Sequence, residues 1–230
     1  DALEQVIKAA SLDDARQILT GVLMAAEEDG LRFVATDSYR LAVRDLPGTS
    51  VLGRDQTVLV PSRALDTVRK ILGDAENLTI RLGERDAAFE IDDVQVMTRL
   101  IEGEFPNYRG LIPDDHPNVL VVDRIALQEA VGRVRILAQE STPVRLSMSS
   151  DGLELAAITQ DVGQAHESLD ASYTGTELTV AFNPQFLLDG LEVSPGNEVR
   201  LETSEASKPA VLRSMGDEQF LYLLMPVRVT

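Results

Sequence analysis

The sequence predicts an α+β fold made of two tandem copies of one domain, each with two helices packed on antiparallel sheets. Amphipathic helix patterns recur roughly 120 residues apart, which indicates an internal repeat. Short strand-like runs follow each pattern and are separated by turn signals typical of antiparallel hairpins. A stretch rich in proline and aspartate divides the two copies.

A helix and a hairpin open each copy. The apolar residues between Leu3 and Ala10 are spaced i, i+3, i+4, i+7, which places them on one helical face, and those between Leu127 and Val134 repeat the spacing. Asp29-Gly30 and Asp151-Gly152 then separate pairs of strand-like runs. Because glycine accepts positive φ, Asp-Gly is a strong hairpin signal, so we expect tight turns at both positions.

A strand that leads into a proline and a second helix comes next in each copy. Thr57–Pro61 precedes an apolar helical pattern that ends at Gly73, a predicted C-cap. Leu178–Phe182 precedes the second such pattern. There Asn183 suits the N-cap position and Pro184 suits the first helical position. These local signals fix where the second helices start.

The boundary between the copies is predicted near Pro113–Pro117. This division gives one domain at residues 1–113 and another at residues 118–230, each of ordinary domain size.

The composition limits the class of protein. The chain has 230 residues, of which 44% are hydrophobic and 26% are charged, as in an ordinary globular protein. It contains no cysteine, which excludes disulfides and thiolate metal sites. It also lacks an apolar run of the ~18 residues of a membrane helix, so we expect a cytoplasmic protein with no membrane association. The start at Asp1, without methionine, suggests a fragment.

The residues offer little for catalysis. The two histidines, His116 in the linker and His166 in a strand-like region, show neither metal-ligand spacing nor the context of a nucleophile. Asp92-Asp93 is more simply a turn, and no phosphate-binding glycine loop is present. We therefore expect a protein that binds, with no catalytic residues, metal or cofactor.

Four segments resemble the DNA polymerase III beta subunit, the bacterial sliding clamp. They are Ala35–Ala42 (ATDSYRLA), Leu100–Arg109 (LIEGEFPNYR), Ala181–Pro184 (AFNP) and Tyr222–Arg228 (YLLMPVR). Their order and spacing are similar to those of the second and third domains of a three-domain clamp. The resemblance therefore implies two tandem DNA-clamp domains.

The resemblance also implies a function and partners. Beta clamps form homodimeric rings around duplex DNA, which they bind without sequence specificity, and they act as processivity factors. DNA polymerase and clamp-loader subunits bind them through short linear peptides, and peptide-like inhibitors occupy the same pocket. Since one domain of the ring is absent, we expect this chain to be monomeric and unable to encircle DNA alone.

A peptide pocket with residues from both domains is implied by the resemblance. The residues expected to line it are Leu19, Thr36, Arg40, Leu41, Pro106, Gly110, Leu111, Asn183, Phe186, Leu223, Met225, Pro226, Val227 and Arg228. Aliphatic side chains with a methionine suit an adaptable apolar groove. For Leu19, Leu41 and Leu223 a place in the core is equally compatible with the sequence, because leucine is mostly buried.

Basic residues are expected to face DNA. Arg63 and Lys70 share one face of the second helix, with Arg69 beside them, and Arg16 and Arg63 match family positions that approach DNA. Arg133 lies on the first helix of the second copy. An ordinary solvated helix face is the open alternative, since a stripe of charged residues on a helix commonly faces solvent. The net charge of −17 also argues against nucleic-acid binding, although it does not describe how the charges are distributed.

Ile136 and Leu137 match family positions that join neighbouring subunits of the ring, although both also suit a helix end in the core. The sequence leaves open a paralogous clamp that confers inhibitor resistance or serves a specialised polymerase, because Ser38-Tyr39 and Phe186 depart from the usual residues. A purely structural repeat protein would leave Arg228 and the Met-Pro end unexplained.

Overall fold

The computed structural model describes residues 1–137, 142–159 and 161–228. They form two compact units, Asp1–Asn107 (the first unit) and Tyr108–Thr230 (the second unit). The division predicted from sequence assigned residues up to 113 to the first copy. In the structure the second unit begins at Tyr108, whose carbonyl accepts a hydrogen bond from the Leu111 N–H (3.0 Å) in a short 3₁₀ turn.

The first unit alternates helices with antiparallel strands. Its helices are α1 (Ala2–Ile7) and α2 (Ser62–Leu72), and a kinked 3₁₀ segment spans Asp14–Thr20. Its strands are β1 (Gly21–Glu27), β2 (Gly30–Thr36), β3 (Arg40–Pro47), β4 (Thr57–Pro61), β5 (Thr79–Leu82), β6 (Asp86–Ile91) and β7 (Val94–Arg99). They pair in the orders β3-β2-β1-β4 and β5-β6-β7.

The second unit repeats this plan with two further strands. Its helices are α3 (Arg124–Val134) and α4 (Pro184–Val193), with short 3₁₀ turns at Arg109–Leu111 and Arg135–Leu137. Its strands are β8 (Asn118–Asp123), β9 (Val144–Ser149), β10 (Gly152–Thr159), β11 (Gly163–Leu169), β12 (Ala171–Thr174), β13 (Leu178–Phe182), β14 (Glu198–Thr203), β15 (Ala210–Ser214) and β16 (Asp217–Leu224). They pair in the orders β12-β8-β14-β15-β16 and β11-β10-β9-β13.

Both units bury the apolar faces of their helices. In the first unit α1 packs on α2, and in the second α3 packs on α4. Leu127, Ala130 and Val131 of α3 are inaccessible to solvent, as their spacing predicts. In α1 the core residue is Val6, whereas Leu3 and Ile7 are only half-buried. The α+β prediction is confirmed, with helices on antiparallel sheets in each unit.

Local signals in the sequence fix several element ends. Asn183 caps α4 through its side-chain oxygen, which accepts hydrogen bonds from Gln185 N and Phe186 N (2.9 and 3.3 Å). Gly73 ends α2 with a φ of +45°. The tight turn at Asp29-Gly30 joins β1 to β2, and the turn at Asp151-Gly152 joins β9 to β10.

The two units end in the same way. After β7 the chain returns to the strand that precedes α2, and Ile101 N–H donates to the Leu59 carbonyl (2.8 Å). After β16 the chain returns to the strand that precedes α4, and Val227 N–H donates to the Ala181 carbonyl (2.8 Å). This equivalence extends the internal repeat to the last residues of each unit, and it places the C-terminal segment beside the start of α4.

Candidate functional site

The turn between β2 and β3, residues 36–41 (the 36–41 turn), holds three of the predicted pocket residues. Asp37 organises its tip: Oδ1 accepts hydrogen bonds from the backbone N–H groups of Tyr39 (2.9 Å) and Arg40 (3.0 Å), and Oδ2 accepts from Arg40 Nε (2.9 Å). Thr36 donates its hydroxyl to the Arg40 carbonyl (2.6 Å). Local side-chain bonds of this kind fix the turn in one shape.

Burial decides how the side chains of the 36–41 turn are used. Leu41 is only 1% exposed and Thr36 is also buried, so within this structure both have the surroundings of core residues. The Arg40 guanidinium is largely buried and forms an ion pair with the equally buried Asp37. Tyr39, by contrast, projects into solvent from the tip.

The other predicted pocket residues of the first unit lie on separate segments. Leu19 is half-buried near the end of the 3₁₀ segment, and its carbonyl accepts a hydrogen bond from Ser11 N–H (2.8 Å). Pro106 is exposed at the end of the extended segment that follows β7. Leu19 is connected to the 36–41 turn through Ser11 and Arg16, whose guanidinium donates to both the Ser11 hydroxyl and the Asp37 carbonyl.

In the second unit, the start of α4 brings two predicted residues together. Phe186 is half-buried in the first turn, and its carbonyl accepts the hydroxyl proton of Tyr222 (3.1 Å). Because the acceptor oxygen of Asn183 is used by the helix cap, only the Nδ2 group can serve a ligand, and it has no hydrogen-bond partner among the described residues.

The residues Met225–Arg228, which we call the tail segment, run beside the same helix start. Val227 N–H donates to the Ala181 carbonyl, two residues before Asn183. Met225 and Val227 are each 37% exposed, and Arg228 is exposed, although Leu223, two residues before Met225 in β16, is buried. The tail segment therefore offers apolar side chains and one cation to solvent next to the N-terminus of α4.

Gly110 and Leu111 lie in the 3₁₀ turn at the start of the second unit. The Arg109 guanidinium stacks over the Tyr108 ring, 5.4 Å from its centroid, and Tyr108 is buried. Leu111 remains 44% exposed. An exposed leucine on a short turn held by a buried aromatic ring is suited to contact a ligand rather than to fill a core.

The basic face of α2 is partly neutralised. Asp66 accepts from Lys70 (2.6 Å) and from Arg69 (2.9 Å), and these two cations hold the pKa of its carboxyl below its usual range, with Lys70 having the larger effect. Arg63 extends away from this cluster and pairs with Asp14 (3.2 Å), and both side chains are more than 70% exposed. Of the three basic residues of α2 predicted to face DNA, Arg63 has the most exposed side chain.

Arg133 is held by carboxylates. Its guanidinium donates two hydrogen bonds to Glu167 (2.8 and 3.1 Å) and lies 3.6 Å from Glu129. The fork raises the pKa of Arg133 and lowers the pKa of Glu167. Glu167 is the single acid of the segment Gly163–Glu167. In this ion pair its negative charge and the positive charge of Arg133 compensate each other.

The predicted ring residues differ in exposure. Ile136 is 81% exposed, Ile158 is exposed on the nearby strand β10, and Val162 is exposed in the turn that precedes β11. Leu137 is half-buried, and its carbonyl accepts the hydroxyl proton of Thr159 (2.6 Å). Ile136 thus has the exposure expected of an interface residue, and Leu137 anchors the turn.

Sequence reasoning did not single out two residues that shape these sites. The local signal for Asp37 is the Thr36-Asp37-Ser38 order before a strand, which is typical of an Asx turn. No local sequence pattern identifies the role of Tyr222, because that role depends on a tertiary contact between its ring and α4. A groove of about 640 Å³ in the first unit borders Leu59, Ile101 and Phe105, and none of the predicted peptide-pocket residues lines it.

Within residues 1–137, 142–159 and 161–228, no three histidine, aspartate or glutamate side chains are arranged to hold a metal ion. Across that same part of the chain, none of the helices has the length and apolar character needed to span a bilayer.

Comparison with known proteins identifies the family. Residues 1–107 match the family model described as the DNA polymerase III beta subunit central domain, and residues 109–228 match that of its C-terminal domain. The beta sliding clamp of Streptomyces coelicolor is 36% identical, and the alignment covers this whole chain and 64% of that protein. The Synechocystis beta sliding clamp is 32% identical, with 63% of its length covered.

Solved structures agree with this assignment. The DNA polymerase sliding clamp from Bacillus subtilis has a TM-score of 0.94 at 31% identity, over 99% of this chain and 61% of that one. A sliding clamp from Pseudomonas aeruginosa has a TM-score of 0.94 at 28% identity, over 99% and 64%. The chain thus spans somewhat under two thirds of these relatives. It belongs to the DNA polymerase III beta subunit family, and it corresponds to the central and C-terminal domains of the sliding clamp.

Proposed function

We propose that this chain serves as the peptide-capturing part of a DNA sliding clamp, which tethers DNA polymerase III and other replication and repair proteins to duplex DNA. Membership of the clamp family over both units supports this proposal. The role is that of a processivity factor and not of an enzyme. The protein contributes binding energy, and the chemistry takes place in the polymerase that it holds.

The observation that carries the proposal is the tail segment beside the capped start of α4. The backbone hydrogen bond from Val227 N–H to the Ala181 carbonyl holds the tail segment in place, and Met225 and Val227 still expose apolar surface. Single exposed apolar side chains are ordinary, whereas apolar side chains exposed close together on one segment are typical of an interaction site. Their exposure on an ordered segment fits a surface that is covered by a ligand.

The chemistry of this surface fits a short peptide with apolar and amide side chains. Met225 is flexible and polarisable, so it can repack around different aliphatic residues. The Nδ2 group of Asn183 and the exposed Arg228 supply donors for backbone carbonyls or a glutamine side chain. Burial of the apolar side chains supplies the driving force for binding, and the polar donors fix the orientation of the peptide.

The first unit contributes a preformed element to the same proposal. Asp37 and Thr36 lock the 36–41 turn through four hydrogen bonds to Ser38, Tyr39 and Arg40. A rigid turn loses little entropy when a ligand binds, which favours affinity. Leu41 and Leu223 are buried, so in this proposal they support the surface from beneath and make at most slight contact with the peptide.

Duplex DNA and ring assembly complete the proposal. Arg63 is exposed enough to meet a phosphate, and contacts of this kind are electrostatic and independent of sequence, as sliding requires. Ile136 would meet a neighbouring subunit in a homodimeric ring formed by the full-length protein. Clamp-loader subunits would use the same peptide surface as the polymerase.

The test is a direct binding measurement. A fluorescently labelled clamp-binding peptide from a bacterial replicative polymerase is titrated with the chain, with Met225→Asp and Leu111→Asp as variants. Both positions are exposed, so the substitutions leave the fold intact. Each should weaken binding by ten-fold or more, since burying a carboxylate against an apolar ligand costs more than about 1.4 kcal/mol.

The matched control is Met97→Asp on β7, an exposed methionine of the first unit that the proposal leaves outside the surface. It should bind the peptide as well as the unsubstituted chain does. The proposal fails if the unsubstituted chain does not bind, or if all three variants bind equally well.

A paralogous clamp is a second candidate, which Tyr39 favours. This side chain projects from the 36–41 turn in place of the histidine common in the family, and the preceding Ser38 has a φ of +79°. If the chain serves a specialised polymerase or resists an inhibitor, Tyr39→His should strengthen binding of the replicative peptide. If it is the replicative clamp, the substitution should leave the affinity unchanged or lower it.

A further inference from the structure

We propose that Arg16 is a positioning residue that holds the 36–41 turn in its peptide-binding shape. This inference rests on the proposed function for its consequence, because the turn matters only if a ligand contacts it. The geometry itself lies entirely within the first unit. It gives Arg16 a role beyond the DNA contact that the sequence suggests.

The guanidinium of Arg16 donates to three partners on two segments, the loop before the 3₁₀ segment and the 36–41 turn. Nη1 donates to the Asp37 carbonyl (2.8 Å), Nη2 donates to the Ser11 hydroxyl (3.0 Å), and Nε pairs with Asp13 Oδ2 (3.2 Å). Asp13 also accepts from Ala15 N–H (3.0 Å), so the anchor is itself fixed. Arg16 therefore connects the loop before the 3₁₀ segment to the 36–41 turn.

The backbone at Arg16 is shaped for this contact. Its φ of −105° and ψ of +56° interrupt the 3₁₀ segment, whose other residues keep helical values. Regular helical geometry at this residue would redirect the side chain. The segment thus departs from regular structure at the residue whose side chain reaches the turn.

Asp37 is the residue that transmits this contact to the ligand surface. Arg16 holds its carbonyl, and its carboxylate in turn holds Tyr39 N, Arg40 N and Arg40 Nε. Next to it, Ser38 has a left-handed φ of +79°, which a residue with a β-carbon adopts only when its surroundings impose it. The hydrogen bond from Arg16 to the Asp37 carbonyl helps to impose this φ on Ser38.

Only arginine suits this position. Its planar fork presents several N–H donors in fixed directions, so it can serve a carbonyl, a hydroxyl and a carboxylate at once. A lysine has the same charge but a single compact ammonium group. Arg16→Lys should therefore restore less binding than the charge alone would predict.

Comparing Arg16 with Arg63 distinguishes a residue that positions the 36–41 turn from one that only contacts DNA. Arg63 is 73% exposed and pairs with Asp14, whereas Arg16 is 39% exposed and reaches the turn directly. If both residues acted only on DNA, their loss would have the same effect on peptide binding, namely none. If Arg16 positions the turn, its loss affects peptide binding with no DNA present.

The experiment titrates the labelled polymerase peptide, without DNA, against Arg16→Met, Arg16→Lys and the control Arg63→Met. We expect Arg16→Met to weaken binding about five-fold, since charge-assisted hydrogen bonds to the turn are lost, and Arg63→Met to stay within about two-fold. Equal peptide affinities for Arg16→Met and the unsubstituted chain would overturn the positioning role.

A second measurement does not depend on peptide binding. Hydrogen exchange of the Tyr39 and Arg40 amides, which Asp37 protects, should accelerate about ten-fold in Arg16→Met, while amides of β9 in the second unit stay unchanged. If exchange at these two amides is the same in Arg16→Met as in the unsubstituted chain, Arg16 does not hold the turn. This conclusion stands whether or not the chain binds the peptide. Failure of the unsubstituted chain to bind peptide, with faster exchange in Arg16→Met, refutes the proposed function alone.

Discussion

The ring of Tyr222 lies directly against the backbone of Gly190 in α4. A β-carbon placed on Gly190 would sit 2.6 Å from two carbons of this ring, closer than carbon atoms normally approach. The ring is completely buried, and its hydroxyl donates to the Phe186 carbonyl one turn earlier in the helix. This contact sets how α4 lies on the sheet, and it therefore places Asn183 and Phe186 at the proposed peptide surface.

Gly190→Ala should destabilise the protein in spite of alanine's higher helix propensity. The added methyl group must displace a fully buried ring, and overpacking of this kind costs about 1–3 kcal/mol. Urea unfolding followed by circular dichroism would measure the change. An unchanged or raised free energy of unfolding would mean that Tyr222 moves aside easily.

Gly132→Ala in α3 should have the opposite effect. A β-carbon at Gly132 meets no atom within 4 Å, so only the propensity gain of up to about 1 kcal/mol remains. The same unfolding measurement tests it, and the pair of variants distinguishes close packing from helix propensity. Destabilisation by this substitution would show that the glycine has a role that its open surroundings do not reveal.

Asn183→Ala should lower the free energy of unfolding by about 1 kcal/mol, because α4 loses the cap on Gln185 N and Phe186 N. Asn183→Asp keeps the capping oxygen but removes the Nδ2 donor. It should retain stability and lose peptide affinity, which calorimetry and peptide titration would show. If Asn183→Asp binds the peptide normally, the amide plays no part in recognition.

The stabilisation by Asp66 should depend on pH. Lys70 and Arg69 lower the pKa of this carboxyl in the folded protein, so its contribution is complete above the ordinary aspartate pKa of about 3.9. The contribution is lost as the pH falls through the lower folded pKa. Asp66→Asn should therefore lower the free energy of unfolding by up to about 1 kcal/mol at pH 7. It should have no effect at a pH below the folded pKa of Asp66.

Denaturant unfolding of Asp66→Asn across this pH range provides the measurement, with the exposed turn residue Asp93→Asn as the control. As an exposed surface substitution, the control should change the free energy of unfolding by less than about 0.5 kcal/mol. A gap that persists for Asp66→Asn in acid would contradict the ion-pair explanation.

Arg63→Met should weaken duplex binding more than Arg133→Met. Arg63 is exposed, whereas two carboxylates already compensate the Arg133 guanidinium. Because each phosphate contact contributes roughly 0.9 to the slope of log K against log salt, Arg63→Met should reduce that slope by about this amount. Fluorescence anisotropy of a labelled duplex at several salt concentrations would decide, and equal slopes for the two variants would remove Arg63 from the proposed DNA contact.

Elements with local signals could be predicted from the sequence. The start of α4 follows from Asn183-Pro184, and the end of α2 follows from Gly73, because a cap depends on residues within one turn of the helix. The tight turns at Asp29-Gly30 and Asp151-Gly152 are similarly local. The repeat was visible because the same signals occur twice in the same order.

Side-chain roles that depend on distant partners were not visible. Arg133 meets Glu167, 34 residues away, and that contact turns an apparent DNA-facing cation into one half of an ion pair. Arg16 meets Asp37, 21 residues away, across two different segments. Spacing rules describe neighbours along one helix or strand and carry no information on such pairs.

By itself the sequence determined the α+β class, the duplicated domain, the helix caps and the resemblance to clamps, because each depends on short-range pattern or on ordered motifs. Only the tertiary structure decided which candidates are core, such as Leu41 and Leu223, and which remain exposed, such as Met225 and Leu111. Burial is set by the elements that pack over a residue, and those elements come from remote parts of the chain.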